Sequence, residues 1–348
     1  MKALFSYIVK PQNQKKMKKS LLIATIIAFA LMACEENNDE NTTIPVSIEM
    51  GPSYAEDVYY SMTDGVVKKV DRTNWDIAFH TDSWSSTIIL NEGNDVKLFT
   101  YRKGDTTAWN NNFTEQDIAQ QEPLYNADTS WTHGAFEQNS LGHPDYGWGI
   151  YNMQSHDVIG DSLFVIQLGD GSFKKLWIKR KNSTENNYVI KYADLDGTSE
   201  MEKNIDASAY TGKNFIYYSL QTDEVLDREP DSESWDILFT KYVGLVPSSE
   251  GMTPYNLTGV LANIGIQSAE IRNTDPAIAD YKNADFNTNI AEIGADWKSF
   301  DMETFSWSLE NNVSYFVETS GGNIYKMVFT SYEGQSTGVI GFEKTRVK

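Results

Sequence analysis

Apolar and polar residues alternate along most of this chain, and that period of two is typical of β-strands. Trp75, Ile77 and Phe79 fall on one face of a predicted strand, and the residues between them fall on the other. Residues 235–239 repeat the alternation with a second tryptophan, isoleucine and phenylalanine. Each segment therefore predicts a strand whose large side chains pack into a core.

Turn sequences between such segments predict how neighbouring strands pair. Residues 169–172 read Gly-Asp-Gly-Ser, and the Asp-Gly step favours the positive φ of a tight hairpin between strands at 164–168 and 173–178. A second hairpin of this kind is predicted within residues 315–330, and a third around Asp64-Gly65. The chain is therefore expected to form a succession of antiparallel hairpins.

Helical periodicity is scarce in the sequence. Residues 115–121 and 276–282 show it, and each segment is long enough for one or two turns. Aromatic residues make up 13% of the chain, which supplies the large side chains that a buried core needs. We therefore expect an all-β protein.

One sequence unit occurs twice, with its parts in the same order and about 160 residues apart. The clearest pair is Asn-Trp-Asp-Ile-Ala-Phe at 74–79 and Ser-Trp-Asp-Ile-Leu-Phe at 234–239. The other matching pairs are residues 59–61 with 217–219, 148–153 with 297–302, and 189–192 with 339–342. Because the offsets drift, the unit is used twice with loops of different length. We predict two tandem β units, at 46–208 and 209–348.

The first 33 residues have the composition of a bacterial export signal. Lysines precede an apolar run at Leu21–Leu31 that is too short to span a bilayer comfortably. Residues 31–34 then read Leu-Met-Ala-Cys, a lipobox, so we predict a signal peptide at 1–33 and lipidation of Cys34. The alternative is an ordinary cleaved signal followed by an incidental cysteine. Translation from Met17 would leave the same signal.

Charge restricts the partners of the mature chain. Removing residues 1–33, which carry six lysines and no acidic residue, leaves 23 basic and 49 acidic residues, a net charge of −26. Such a chain repels nucleic-acid phosphates and anionic membrane surfaces, so the lipid would do the anchoring. Residues 34–45 begin with an acidic run and are predicted to form an unfolded tether. This run resembles the signal that exports Bacteroidetes lipoproteins to the cell surface; a linker facing the periplasm is the alternative.

The repeated motifs resemble those of the HmuY family of Bacteroidetes outer-membrane lipoproteins. The resemblance covers nearly all of the second unit and most of the first. It rests on the Tyr-Tyr-Ser, Trp-Asp-Ile-x-Phe and Trp-x-x-[Phe/Tyr]-x-Met motifs, on Tyr325–Phe329 and on Gly338–Phe342. It implies an all-β fold likened to a right hand, which binds haem and passes it to a TonB-dependent receptor. Members of the family usually carry one unit, so the tandem is a departure.

The resemblance also implies where haem iron would be held. In haem-binding members two axial side chains, His or Met, hold the iron, and one of them lies where this chain has Met302 and, equivalently, Met153. A methionine thioether is an acceptable axial ligand. The second ligand should lie upstream, where His133 is the nearest candidate in the first unit. All four histidines fall in that unit, so we expect it to be the haem binder; core methionines that fill gaps are the alternative.

A loop region of the first unit is the best candidate for a binding surface. It is rich in glycine, asparagine and aspartate, and aromatic loops of this kind commonly bind ligands. Its histidines and aromatic residues are His133, His143, His156, Trp131, Tyr146, Trp148 and Tyr151. The alternative is an insert that its own aromatic residues stabilise. His80, which shares a strand face with Asp76, is expected to be structural.

Enzyme motifs are incomplete in this chain. Gly-Asp-Ser-Leu at 160–163 matches the short tag of a lipase and esterase family, but no histidine follows Ser162 to act as its base. Asp-Leu-Asp-Gly at 194–197 begins like a calcium loop, but the remaining ligands are missing, and we interpret it as a turn. We therefore expect a binding protein rather than an enzyme.

Two functions of different class remain for such a protein. The first is a surface-anchored lipoprotein of HmuY type, bound to the outer membrane, that captures haem and hands it to a TonB-dependent receptor. The second is a non-catalytic surface module that binds a glycan, a peptide or a partner protein without haem. It is favoured by the aromatic loops and by the lack of histidine in the second unit. A purely structural lipoprotein is a weaker third possibility.

Overall fold

A computed structural model describes residues 41–249 and 251–348 of the chain. The predicted signal peptide and Cys34 lie outside the described residues, as does the predicted tether up to residue 40. The last tether residues lie in a strand, because β1 begins at Thr43 and pairs with the C-terminal strand. Among the described residues, no helix is long and apolar enough to cross a membrane.

The all-β class predicted from the alternation is confirmed. The described residues form 22 strands and short 3-10 helices, the longest of which has five residues. The strands are β1 Thr43–Glu49, β2 Glu56–Ser61, β3 Gly65–Asp71, β4 Ile77–His80, β5 Ile88–Leu90, β6 Lys97–Thr100, β7 Gly149–Tyr151, β8 Asp157–Gly160, β9 Phe164–Gln167, β10 Phe173–Asn182, β11 Asn187–Asp194, β12 Met201–Asp206, β13 Phe215–Ser219, β14 Glu224–Leu226, β15 Ile237–Ser248, β16 Gly251–Ala262, β17 Gln267–Arg272, β18 Lys298–Asp301, β19 Ser306–Leu309, β20 Val313–Glu318, β21 Ile324–Tyr332 and β22 Val339–Arg346. The 3-10 helices are Pro52–Tyr54, Glu92–Asn94, Thr106–Asn110, Glu115–Asp117, Ala135–Glu137, Ser208–Tyr210, Ser232–Ser234, Tyr281–Asn283 and Gly334–Ser336. Two of them, Glu115–Asp117 and Tyr281–Asn283, lie in or at the end of the segments with a helical period.

The strands form antiparallel sheets, and the predicted hairpins are present as β2–β3, β9–β10 and β20–β21. A five-stranded sheet has the order β1-β22-β21-β20-β17. A larger sheet runs β12-β11-β10-β8-β7, with β9 joining β10 to β6. Two four-stranded sheets have the orders β14-β13-β4-β5 and β16-β15-β2-β3, and β18 and β19 pair alone.

The two four-stranded sheets exchange strands between the repeated units. The Tyr-Tyr-Ser strand of the first unit, β2, pairs with β15 of the second, and β13 of the second unit pairs with β4 of the first. Each exchange is fastened by the aspartate of the Trp-Asp-Ile motif. Asp236 Oδ2 accepts a hydrogen bond from the Met62 amide at 2.6 Å, and Asp76 Oδ2 accepts one from the Leu220 amide at 2.7 Å. Each sequence unit thus contributes its Tyr-Tyr-Ser strand to a sheet that contains the Trp-Asp-Ile strand of the other unit.

As a result, the hydrophobic cores are offset from the sequence units. Core one lies between the larger sheet and β14-β13-β4-β5, and its members run from Ile77 to Leu220. Core two lies between the five-stranded sheet and β16-β15-β2-β3, and combines residues 48–62 with residues 237–342. The boundary predicted at 208/209 falls inside core one. The described residues belong to one compact unit.

The outer faces of the two four-stranded sheets face each other across a layer that we call the seam. Tyr59 and Tyr217 meet there, with their hydroxyl oxygens 3.4 Å apart. Trp75 packs edge-on against Tyr217 in the seam, whereas Ile77 and Phe79 point into core one. The prediction that these three residues share a face is therefore wrong. The strand begins only at Ile77, because Asp76 turns inward to cap the exchanged strand.

Candidate functional site

A group of side chains lies at the surface of the part of the protein that contains core one. We call it the His–aromatic cluster, and its members are Trp84, His143, Tyr146, Tyr151 and His156. The ring of Tyr151 lies near both imidazoles, with its centroid 5.1 Å from that of His143 and 6.2 Å from that of His156. Trp84 meets His156 edge-on at 5.8 Å and is 69% exposed. Both histidines are exposed and both tyrosines are half-buried. A ligand can therefore reach the imidazoles directly.

A tight turn between β7 and β8 holds His156 in place. The side chain of Asn152 accepts hydrogen bonds from the amides of Gln154 at 2.8 Å and Ser155 at 3.3 Å. The Asn152 carbonyl also accepts one from the His156 amide at 2.9 Å. His156 has a φ of 61°, a left-handed conformation that is uncommon outside glycine and is concentrated at functional sites.

The loop before β7 is fastened to the same turn and to core one. The Tyr151 amide donates to the carbonyl of Pro144 at 2.8 Å, which joins the loop that carries His143 to the strand that carries Tyr151. Beneath them Trp148 is fully buried and its Nε1 donates to the Ser86 carbonyl at 3.1 Å. The cluster therefore lies on loops that a buried tryptophan fixes to the sheet.

The hydrogen bonds within the cluster orient both imidazoles. Nδ1 of His156 lies 2.7 Å from the hydroxyl oxygen of Tyr151, and Nδ1 of His143 lies 3.4 Å from that of Tyr146. When Nδ1 carries the proton and donates it to the phenol oxygen, the lone pair of Nε2 is available for a ligand. Such a second hydrogen bond is the usual device that fixes a metal-binding histidine.

The ligands implied by the HmuY resemblance fall in three different loops. His133 is exposed and shares a cleft with Trp84, His143 and Tyr146. Met153 lies in the turn between β7 and β8, close in sequence to His156. Met302 lies at the tip of the β18–β19 hairpin, next to core two.

Both methionines are surface residues rather than packed core methionines. Met153 is 77% exposed and Met302 is 71% exposed. The tryptophan that precedes each of them, Trp148 or Trp297, is buried. The Trp-x-x-[Phe/Tyr]-x-Met motif therefore anchors itself with the tryptophan and presents the methionine to solvent in both units.

His80 lies outside the cluster, and its ring packs edge-on against that of Phe215 with the centroids 5.1 Å apart. Its side chain is half-buried between the sheets, and burial lowers its pKa to about 4. Its Nδ1 accepts a hydrogen bond from the Asp82 amide at 3.0 Å. It is therefore neutral at physiological pH, with one nitrogen engaged by the backbone.

The donor set of the His–aromatic cluster fits haem better than a bare metal ion. Among the described residues, no group of three or more His, Cys, Asp or Glu side chains is placed to hold a metal. Haem needs fewer protein ligands, because the porphyrin fills four positions and His or Tyr can fill an axial one. Exposed Trp84 and the tyrosine rings supply apolar surface for a flat macrocycle.

Trp84 is the member of the cluster that sequence reasoning missed. It lies in a polar turn where the Trp84 amide donates to Asp82 Oδ1 at 2.7 Å. The only signal in the sequence was a single tryptophan within a run of threonine, aspartate and serine at 81–87.

Comparisons with known proteins give distant similarities. No protein-family model and no curated protein matches the sequence. Two solved structures are similar to parts of it: an HmuY-like candidate haem-binding protein from Bacteroides vulgatus, at 11% identity over 37% of this chain and 83% of that one, and apo PinO from Porphyromonas gingivitis, at 15% identity over 45% of this chain and 90% of that one. Their TM-scores, 0.17 and 0.16, are too low to carry an argument about this protein.

Proposed function

We propose that this protein is a lipid-anchored haem-binding protein of the cell envelope, and that haem binds at the His–aromatic cluster. The observation that carries the proposal is that two exposed imidazoles, those of His143 and His156, lie near the same Tyr151 ring, with the Nδ1 atom of each near a tyrosine hydroxyl. This arrangement leaves an Nε2 lone pair on each exposed ring for an axial bond. The HmuY-like motifs of the sequence support the same function.

The proposal extends to location and partner. The lipobox at Cys34 and the acidic run that follows it support anchoring at the outer surface of the outer membrane. A protein that binds haem there would act before uptake, so we propose that it passes haem to a TonB-dependent receptor. The protein would act by binding and release, without catalysis.

Bound haem would supply an iron with one or two open axial positions and a flat apolar face. In this chain His143 and His156 would hold the iron, and Tyr146 and Tyr151 would orient the imidazoles. Trp84 would cover part of the macrocycle. Met153, exposed in the same turn as His156, is the further candidate for an axial bond.

Titration of the mature protein with haemin tests this function. We expect a shifted Soret band with saturable binding, and a loss of affinity of at least about tenfold in each of His143→Ala and His156→Ala. Met153→Ala and His133→Ala, measured in parallel, decide whether the ligands implied by the resemblance contribute. Ile278→Ala is the control, because Ile278 is an apolar side chain, 75% exposed, in a loop that is hydrogen-bonded to β21 of the five-stranded sheet through Pro276 and Lys326.

The proposal fails if haemin produces no Soret shift in either redox state. It also fails if the double variant of His143 and His156 binds haemin as the unaltered protein does. Circular dichroism of each variant establishes that the fold is retained.

A second candidate function is favoured by an aromatic patch on core two. Phe300, Phe305 and Trp307 of the β18–β19 hairpin are 40%, 76% and 42% exposed, and the rings of Phe300 and Trp307 lie 5.0 Å apart. Exposed aromatic rings suit stacking on sugars or contacts with a partner protein. A glycan array probed with unaltered protein and with Trp307→Ala would test it. Binding that does not depend on Trp307 would reject this patch.

A further inference from the structure

The two chain segments that build the His–aromatic cluster are strongly acidic. Residues 104–173 contain ten acidic residues, three of the four histidines and no lysine or arginine. Residues 73–96, which supply Trp84, contain four acidic residues and again no lysine or arginine. The other members of the cluster all lie in the longer segment. The exposed imidazoles are therefore carried by a part of the chain with a large negative charge.

Three aspartates, Asp82, Asp145 and Asp157, lie within two residues of a cluster member along the chain. Asp82 is exposed, and its Oδ1 accepts a hydrogen bond from the Trp84 amide at 2.7 Å, which holds the carboxylate against the turn that carries the indole. Asp145 Oδ1 accepts one from the Gly147 amide at 2.6 Å. A hydrogen bond from a neutral amide orients a carboxylate without balancing its charge.

Arg180 of β10 approaches the β7–β8 hairpin on the other face of the sheet. It is in register with Ile159, whereas Tyr151 is in register with Val158. Because neighbouring residues of a strand point to opposite faces, Arg180 and Tyr151 lie on different sides of the sheet. Arg180 NH1 lies 3.9 Å from Asp157 Oδ2. Its charge is therefore directed to that aspartate rather than to the cluster.

Lys181, the next residue of β10, lies on the same face as Tyr151 but is enclosed. It is fully buried, and its Nζ donates to Asn186 Oδ1 at 2.5 Å and lies 4.1 Å from the centroid of the Tyr188 ring. Burial lowers its pKa to about 8. This ammonium group therefore has its contacts inside the protein and does not reach a ligand at the surface.

The cleft that contains His133, next to the cluster, has hydroxyl groups whose protons are already in use. Thr87 Oγ1 donates to the carbonyl of Thr132 at 2.9 Å, and Ser140 Oγ donates to the carbonyl of Asp145 at 2.6 Å. Both hydroxyl residues line the cleft. A hydroxyl that has donated its proton presents only lone pairs, so these two groups do not favour a carboxylate.

The acidic surroundings matter because haem itself is an anion at its edge, where it carries two propionate groups. Two like charges about 7 Å apart in water repel each other enough to change affinity about threefold. Dissolved salt screens the repulsion, since the Debye length falls from about 30 Å at 0.01 M to about 8 Å at 0.15 M. The effect of the carboxylates on a ligand can therefore be measured, and it should weaken as salt is added.

We propose that the carboxylates around the His–aromatic cluster make the site selective against acidic side chains on its ligand, so that affinity for iron porphyrins falls with each added carboxylate. The selectivity rests on the proposed haem function and names the class of porphyrin that the site favours. Haemin dimethyl ester, which has no ionised carboxylate, binds more tightly than haemin. Iron coproporphyrin, which has twice as many propionates as haemin, binds more weakly.

Soret titrations with these three porphyrins at about 10 mM and about 300 mM sodium chloride test the selectivity. We expect the affinity for haemin to rise at least about threefold with salt, and the affinity for the ester to stay constant.

Charge variants of Gln154 test the same point at one position. Gln154 is exposed in the turn that carries His156, and only its amide is hydrogen-bonded to Asn152. At low salt Gln154→Lys should bind haemin about threefold more tightly and Gln154→Glu more weakly, with the ester unaffected in both. Gln335→Lys makes the same charge change in the exposed turn between β21 and β22 and should leave every affinity unaltered.

The outcomes separate the selectivity from the haem function. Equal affinities for haemin and its ester at both salt concentrations would overturn the selectivity and leave haem binding intact. A haemin affinity that falls as salt is added would do the same, as would equal haemin affinities in folded Gln154→Lys and Gln154→Glu. If neither haemin nor its ester gives a saturable Soret shift, the haem function has failed and the selectivity fails with it.

Discussion

At the scale of single residues, burial controls the protonation of Glu137, which lines the cleft that also holds His133 and His143. Glu137 is buried, and its carboxyl oxygens accept hydrogen bonds from the amides of Gly134 at 2.9 Å and Ile88 at 3.1 Å. Burial outweighs these bonds and raises the pKa of Glu137 to about 8. In the unfolded chain this group ionises near its ordinary value of about 4.3.

The folded protein therefore holds a proton on Glu137 that the unfolded chain has lost at neutral pH. Stability is expected to fall as pH rises from about 5 to 8, with a slope of up to about 1.4 kcal/mol per pH unit from this group. Glu137→Gln removes the ionisation and should flatten that part of the curve. Urea unfolding at several pH values measures it, with exposed Glu115→Gln as the control. An unchanged slope in Glu137→Gln would contradict the assignment.

Tyr151 offers a second test at this scale. Tyr151→Phe keeps the ring near the two imidazoles but removes the hydroxyl that lies 2.7 Å from His156 Nδ1. Loss of such a supporting hydrogen bond lowers affinity by about 10–100-fold at metal sites. We expect weaker haemin binding with little change in thermal stability, measured by Soret titration and melting. Unaltered affinity would mean that the hydroxyl does not position His156.

At the scale of strands, the aspartates of the Trp-Asp-Ile motifs hold the exchange together. Asp236→Ala leaves the buried Met62 amide without its acceptor, and Asp76→Ala does the same to the Leu220 amide. Each change should lower the free energy of unfolding by about 1–3 kcal/mol. Urea denaturation checks this, with Asp231→Ala as an exposed control. Equal stability of all three variants would show that the caps are dispensable.

Strand pairing also shows what the sequence could and could not reveal. The hairpins at 64–65 and 169–172 were predictable because a turn sequence fixes its own two strands. The strand that pairs with β2 was not predictable. Tyr59 and Tyr60 indicate that both faces of β2 are buried, but they do not indicate which distant strand lies beside it. The exposure of Met153 was not predictable either. Trp148, five residues before it, is buried, and the turn at Asn152 places the methionine in solvent.

At the scale of the whole molecule, the offset between sequence units and cores predicts how fragments behave. Fragment 209–348 lacks β2, which pairs with β15, and it carries β13 without β4. Fragment 46–208 lacks both of the second-unit partners. We expect neither fragment to unfold cooperatively on its own, whereas a chain of residues 41–348 should do so. Circular dichroism during urea titration tests this, and two independently cooperative fragments would contradict it.

The pairing of β1 with β22 brings the two ends of the described chain together. The Asn41 amide donates to the Arg346 carbonyl at 2.8 Å, so a few glycines could join residue 41 to residue 348 without disturbing either sheet. A circular permutant opened at the exposed turn around Gly171 would then begin and end on the far side of core one. Such a permutant would place a fluorescent or affinity label at that turn, whereas a label fused after residue 348 would lie beside residue 41.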